Sequence, residues 1–284
     1  MTREVTAAVA NTALSITDDA AFGLEVTSGK GLVVTSGTTT TDISVDLDGD
    51  ITAENNALEI DHDGTGSLTV TTGEDSVITS IGNGQAGSID KNAGTDNRAG
   101  GSAIHLGTIS GATDVTVTVN GDLGINTDAG RLYYNGIQFV QSGTGNTNVT
   151  VNGDIFGGYN ARGTLISSNN TNAGAMTLTL NGNVNILNNQ SFARAFGGTH
   201  IGRGLLDITI GSGATITGQG RVLGNGGRGG TRITVDGTIN ITHASHAAVY
   251  SRPESNNGVE TEIDINNTVS GHIGVRMNNA GSAA

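Results

Sequence analysis

Three sets of side chains in this sequence are of the kinds that do chemistry. The densest runs from Asp42 to Asp63, where Asp42, Asp46, Asp48, Asp50, Glu54, Glu59, Asp61 and Asp63 stand without an intervening Lys or Arg. Oxygen ligands on flexible chain suit Ca²⁺, and Asp46, Asp48, Asp50, Asp61 and Asp63 are the candidate ligands. Against that, Asp46 and Asp48 are expected on different faces, neither an EF-hand loop nor a Gly-Gly-x-Gly-x-Asp nonapeptide is present, and a solvated acidic face explains the same run. The second set is Arg194, Arg203, Arg221, Arg228 and Arg232, which recur in Gly-rich stretches of the C-terminal half. Brought together, they would form a basic patch for the acidic groups of a glycan, although scattered arginines also serve solubility. The third is histidine. His243 and His246 are neighbours, but no further ligand accompanies them at metal-binding spacing.

The elements that must position these residues come from one recurring phrase: apolar, any, apolar, Asn/Asp, Gly, any, apolar. It reads Val45-Asp46-Leu47-Asp48-Gly49-Asp50-Ile51, Val117-Thr118-Val119-Asn120-Gly121-Asp122-Leu123, Val149-Thr150-Val151-Asn152-Gly153-Asp154-Ile155 and Leu178-Thr179-Leu180-Asn181-Gly182-Asn183-Val184. Ile233-Thr234-Val235-Asp236-Gly237-Thr238-Ile239 is a further copy, and Ile208–Ser212 and Ile263–Val269 are weaker ones. From Gly121 the copies step to 153, 182, 212, 237 and 267, spacings of 32, 29, 30, 25 and 30. Asn-Gly between apolar alternations ordinarily signals a hairpin, but a hairpin meander repeats every ~8–12 residues. A period near 30 fits three short strands per coil of a solenoid. The expectation is therefore an all-β, right-handed parallel β-helix of about 10 coils, right-handed because parallel crossovers almost always are.

Each coil then has a phrase strand, a sharp Asn-Gly corner with glycine at positive φ, a second short strand and a third apolar stretch. The third stretches include Ala57–Ile60, Ala103–Leu106, Gly136–Phe139, Ala248–Tyr250 and Gly274–Met277. Val119, Val151, Leu180, Ile210, Val235 and Ile265 should stack as one inward column and Thr118, Thr150, Thr179, Thr209 and Thr234 as an outward one. The column beside those threonines holds Ser44, Asn148, Asp207, Arg232 and Glu262, too irregular for a flat lattice that orders water. Asn120, Asn152 and Asn181 should bond from coil to coil. Residues 1–41 read as irregular N-terminal coils or a cap and 42–284 as the repetitive β-helix. Asn83–Gly101 reads as a protruding insertion. The chain ends without a capping element, so the natural protein is expected to continue past Ala284.

Composition agrees. Glycine is 46 of 284 residues, proline 1, aromatics 3%, and there is no Trp, which suits a narrow layered core better than a compact globule. The absence of Cys excludes a disulfide scaffold and a thiolate metal site. Residues 1–142 hold 19 acids and 5 bases, a net −14, whereas residues 143–284 hold 7 acids and 8 bases, a net +1. That acidity argues against a nucleic-acid partner. No apolar run spans a membrane, so no membrane insertion of this segment is expected. Met1–Ala10 lacks the pattern of a secretion signal, so the chain is either intracellular or a segment whose signal was removed.

The coil phrase, with Val149–Ile155 as its clearest copy, and the later Ala-x-x-Val-Tyr step resemble the passenger domains of bacterial autotransporters, most closely the Gly/Asn/Thr-rich alphaproteobacterial kind. The resemblance covers roughly residues 42–277. It implies secretion or surface display, a non-enzymatic role as an adhesin or host-cell-interacting factor, and a host-cell surface receptor or glycan as partner. No cofactor is called for. The alternatives are a carbohydrate-active or glycan-binding β-helix and a self-assembling filament or surface-layer unit. Asn126-Thr127-Asp128 and Gly271–Gly274 with Arg276 faintly resemble polygalacturonase motifs. They lie about five coils apart and lack an Asp-Asp pair between them, so no catalytic residue is assigned.

Overall fold

The computed structural model describes residues 3–7, 13–18, 23–82, 101–110, 113–127, 130–158, 161–187, 194–252 and 259–278. Among these there is no helix, and the strands fall into three sheets of 10, 9 and 9 strands. In each sheet, neighbouring strands are three elements apart in the chain and parallel, as in Ile43–Leu47, Leu68–Thr72, Val115–Val119 and Thr147–Val151. The chain is therefore a parallel β-solenoid with three strands per coil. We call the sheet of phrase strands the first, the short strands after the corner the second, and the third apolar stretches the third. A stack of this height spans on the order of 45 Å.

The alternation does what period two requires. Val119 pairs with Val151, Val151 with Leu180, Leu180 with Ile210, Ile210 with Val235, and Val235 with Ile265. All but Ile265, on the outermost described coil, are buried. The outward threonines align in the same register and extend down to Thr71. At the corner, Asn152 Nδ2 donates to Asn120 Oδ1 at 2.7 Å and Asn181 Nδ2 to Asn152 Oδ1 at 2.8 Å.

The corner glycines follow a different rule from the one the sequence suggested. Gly121, Gly153 and Gly182 are not in the left-handed region. They are needed because a Cβ on Gly153 would lie 1.9 Å from the Gly121 carbonyl oxygen, and one on Gly182 2.0 Å from that of Gly153. Stacked corners approach too closely for any side chain there.

Residues 1–41, expected as irregular coils or a cap, contribute strands to all three sheets. Leu32–Ser36 pairs in register with Leu58–His62, Leu14–Thr17 with the Ile43 strand, and Gly23–Val26 with Asp50–Ala53. The insertion expected at Asn83–Gly101 lies outside the described residues except for Gly101. The two corners of a coil differ in tolerance. The first-to-second corner stays tight, as from Val119 to Asp122 and from Val235 to Thr238, while the second-to-third corner runs from Gly218 to Arg221 in one coil and from Ser80 to Ile104 in another. Variation in the repeat period is thus concentrated away from the Asn-Gly corner.

Candidate functional site

Part of the acidic run braces the scaffold. Asp42 Oδ1 accepts from the Ser67 amide at 2.7 Å and the Ser67 hydroxyl at 2.8 Å, and these bonds hold its carboxyl below the usual range. Asp50 Oδ1 accepts from the Val77 amide at 2.8 Å. Asp122 and Asp154 repeat the device, accepting from the Asp154 and Asn183 amides of the following coils at 2.8 and 2.7 Å. Burial lifts the Asp122 carboxyl above its ordinary range; the bond from the Asp154 amide opposes that, and the Asp154 charge adds to it. Asp46, Asp48, Asp50 and Asp63 are exposed and Asp61 is half-buried. They are not brought together: among the described residues no three His, Asp or Glu side chains are grouped to hold a metal ion. Asp46 and Asp48, expected on different faces, both stand on the outside.

One acid is of another kind. Glu59 lies on the outward side of the third sheet yet is only 6% exposed. Lys30 Nζ reaches Glu59 Oε1 at 2.5 Å, and Asn56 Nδ2 donates to Glu59 Oε2 at 2.6 Å. Burial pushes this carboxyl up, but the bonds from Lys30 and Asn56 outweigh it and leave it below its usual range. His105, its register partner, has its pKa lowered by burial, against the raising effect of Glu59 and Asp61.

The five arginines divide among three places. Arg232 sits on the first sheet, where Nε donates to Asp207 Oδ1 at 3.1 Å and a second guanidinium nitrogen meets Asp207 Oδ2. That bond and charge raise its pKa. Arg203 and Arg228 are exposed in the loops that follow the third sheet, on adjacent coils, where the Arg228 amide donates to Gly202 O at 3.0 Å. Arg194 and Arg221 are direct register partners at the start of adjacent third-sheet strands.

That pair belongs to a longer ladder. The third sheet orders its last six strands as Asn135–Gln141, Arg162–Ser168, Arg194–His200, Arg221–Gly226, Ala247–Ser251 and Ile273–Met277. Each strand, or the residue leading into it, supplies one member: Tyr134, Arg162, Arg194, Arg221, Tyr250 and Arg276. The guanidinium of Arg162 lies 5.9 Å from the Tyr134 ring centre and that of Arg221 4.6 Å from that of Tyr250, both within cation–π reach. A register shift between Arg194 and Phe196, followed by Gly197 at φ 124°, breaks the regular alternation beside Arg194.

The electrostatics of the ladder are one-sided. Arg162, Arg194 and Arg221 are half-buried, and none forms an ion pair among the described residues. Arg194 Nη1 and Arg221 Nε are sealed from solvent without a hydrogen-bond acceptor among the described residues. Burial, then the charges of Arg162 and Arg221, push the Arg194 guanidinium down to about 9. Burial lowers Arg221 too; Tyr250 opposes that and Arg276 reinforces it. A buried donor without an acceptor costs ~1–3 kcal/mol, more when charged.

Sequence reasoning found Arg194 and Arg221 but not Arg162. The signal was present: each arginine stands at the head of a third apolar stretch. Aligning coils on the Asn-Gly corner hides it, because the segment between corner and third stretch varies in length. Of the other residues named above, Asp128 lies outside the described residues. His243 and His246 stack with ring centres 3.7 Å apart. No helix long and apolar enough to cross a membrane occurs among the described residues. Comparison with protein-family models, with curated proteins and with solved structures gives no match to this chain.

Proposed function

We propose that this chain is a secreted or surface-displayed binding module, a non-enzymatic β-helical passenger of the autotransporter kind that acts as an adhesin or host-cell-interacting factor. The observation that carries the reading is the tyrosine–arginine ladder on six successive third-sheet strands, with two buried guanidinium nitrogens lacking acceptors among the described residues. Recognition surfaces favour Tyr and Arg, which combine apolar area with directed donors. The stacked scaffold supports the same reading. It holds a fixed corner constant while the second-to-third corner varies, so loops can change without disturbing the rod. Multivalent presentation from a stiff rod is then the mechanism.

A carbohydrate-active role is the second reading, favoured by Asp122 and Asp154 on adjacent coils, one with its carboxyl raised. Both carboxylates already accept backbone amides, which weighs toward scaffold. The test is a glycan-array and cell-binding screen of the purified chain, with and without Ca²⁺, together with product analysis on acidic polysaccharides. Saturable binding without shortening of the polymer is expected. Shortened products that vanish in Asp122→Asn would overturn the proposal.

A further inference from the structure

We propose that Arg162, Arg194 and Arg221, bracketed by Tyr134 and Tyr250, form the binding site for a linear acidic glycan whose sulfate or carboxylate groups supply the acceptors these guanidiniums lack. The inference rests on the binding-module reading and names the ligand class of that surface.

Three facts carry it. The first is spacing. Arg194 and Arg221 are register partners on adjacent strands, and Arg162 heads the strand before them. Adjacent strands lie about 4.8 Å apart, so three forked donor groups repeat along the rod axis. Such a row suits a ligand with successive anionic groups on a line. The second is unmet demand. A guanidinium stays protonated at physiological pH, and its planar fork matches the two oxygens of a carboxylate or sulfate. Arg194 Nη1 and Arg221 Nε have no acceptor among the described residues, whereas Arg232 on the first sheet has Asp207. Lys30 on the acidic part of the third sheet has Glu59.

The third is charge distribution. The three arginines lie in the half with a net +1, and the other half of the rod carries −14. A long, uniformly charged polymer such as nucleic acid would run from the ladder onto acidic coils and be repelled. A glycan that alternates acidic and neutral units needs only the local row, and the flanking tyrosines offer it amphipathic ring surface.

The experiment is calorimetric titration of the full chain with a sulfated oligosaccharide, an oligouronate, a neutral oligosaccharide of equal length, inorganic sulfate and single-stranded DNA. Arg194→Leu, Arg221→Gln and Arg232→Gln are compared with the parent, and each variant's melting temperature is recorded without ligand. The expected result is binding of an acidic oligosaccharide that weakens with salt and falls tenfold or more in Arg194→Leu and in Arg221→Gln. Arg232→Gln should bind as the parent does, and Arg194→Leu should melt no lower than the parent. Acidic oligosaccharide bound equally by all variants overturns the site and leaves the module reading standing. Inorganic sulfate or DNA bound as tightly as the oligosaccharides overturns the ligand class, as does no binding of either acidic oligosaccharide. Cleavage of the titrant is the separate result that overturns the module reading itself.

Discussion

The third sheet carries two charged clusters that differ in one respect. Around Glu59 the buried carboxylate has its partners: Lys30 and Asn56 hold it, and the Asn56 side-chain Oδ1 accepts from the Ser102 amide at 2.8 Å. Around Arg194 three guanidiniums crowd one another, and two of their nitrogens have no acceptor among the described residues. Both clusters sit on the same kind of strand in the same parallel stack. The difference lies in where compensation comes from. The acidic cluster is closed by the protein, so it contributes to folding. The basic cluster is left open, a cost to folding that a ligand can offset.

The strongest way to sharpen that contrast is to show that the scaffold under both halves obeys one geometric rule. A Cβ at Gly153 meets the backbone oxygen of Gly121, whereas at Gly73 it first meets the side-chain Oδ1 of Asp48 at 2.5 Å, which can swing away. Gly153→Ala should therefore lose about 3 kcal/mol in urea unfolding and Gly73→Ala only about 1. Equal losses would mean that corner packing is not what these glycines serve.

Next in size is the contrast itself. Glu59→Ala strands the Asn56 amide and Lys30 and should cost about 1–2 kcal/mol. Arg194→Leu removes a half-buried charge without a partner and should gain about 1 kcal/mol. If both variants lose stability, the basic cluster is as closed as the acidic one and the comparison breaks. A smaller effect belongs to the amide ladder shared by the coils. Asn152 donates to Asn120 and accepts from Asn181, both near the surface, so Asn152→Ala should lose about 1 kcal/mol with no change in anion binding.

The smallest effect is a pH slope. His105 and His200 have folded pKa values below the ordinary 6.5, chiefly through burial. Their contribution is complete above pH 6.5 and is lost as pH falls, because the unfolded chain takes up protons first. Glu59, lowered from 4.5, adds a loss below that value. Stability should decline from pH 7 to pH 5, and His200→Gln should flatten the decline. An unchanged slope in that variant would remove His200 from the account.

Much of the fold was legible because a stacked solenoid imposes identical local rules on every coil. The inward Val119–Ile265 column, the threonine column and the asparagine ladder all follow from period two and a repeated corner. The reason for the corner glycines was not legible. Their closest approach is to a carbonyl about 30 residues away in the chain. The acids between Asp42 and Asp63 suggested a metal site because sequence shows their density. Which amide Asp42 or Asp50 accepts from depends on the next coil.

The sequence by itself determined the three-strand coil and the absence of thiol chemistry, since alternation, turn residues and composition are local properties. It also set the separation of charge between the two halves, which is a simple sum along the chain. Only the tertiary structure decided which charges meet. Arg194, Arg203 and Arg232 lie within 40 residues of one another, yet they occupy the head of the third sheet, the loop that follows it and the face of the first sheet. Arg162, Arg194 and Arg221 each come from a different coil, yet they form one row. In a solenoid, distance along the chain within a coil carries a residue around the rod. Distance of one whole coil brings it back to the same face about 4.8 Å higher. Neighbourhood is therefore set by coil register, and register depends on loop lengths that the repeat phrase does not reveal.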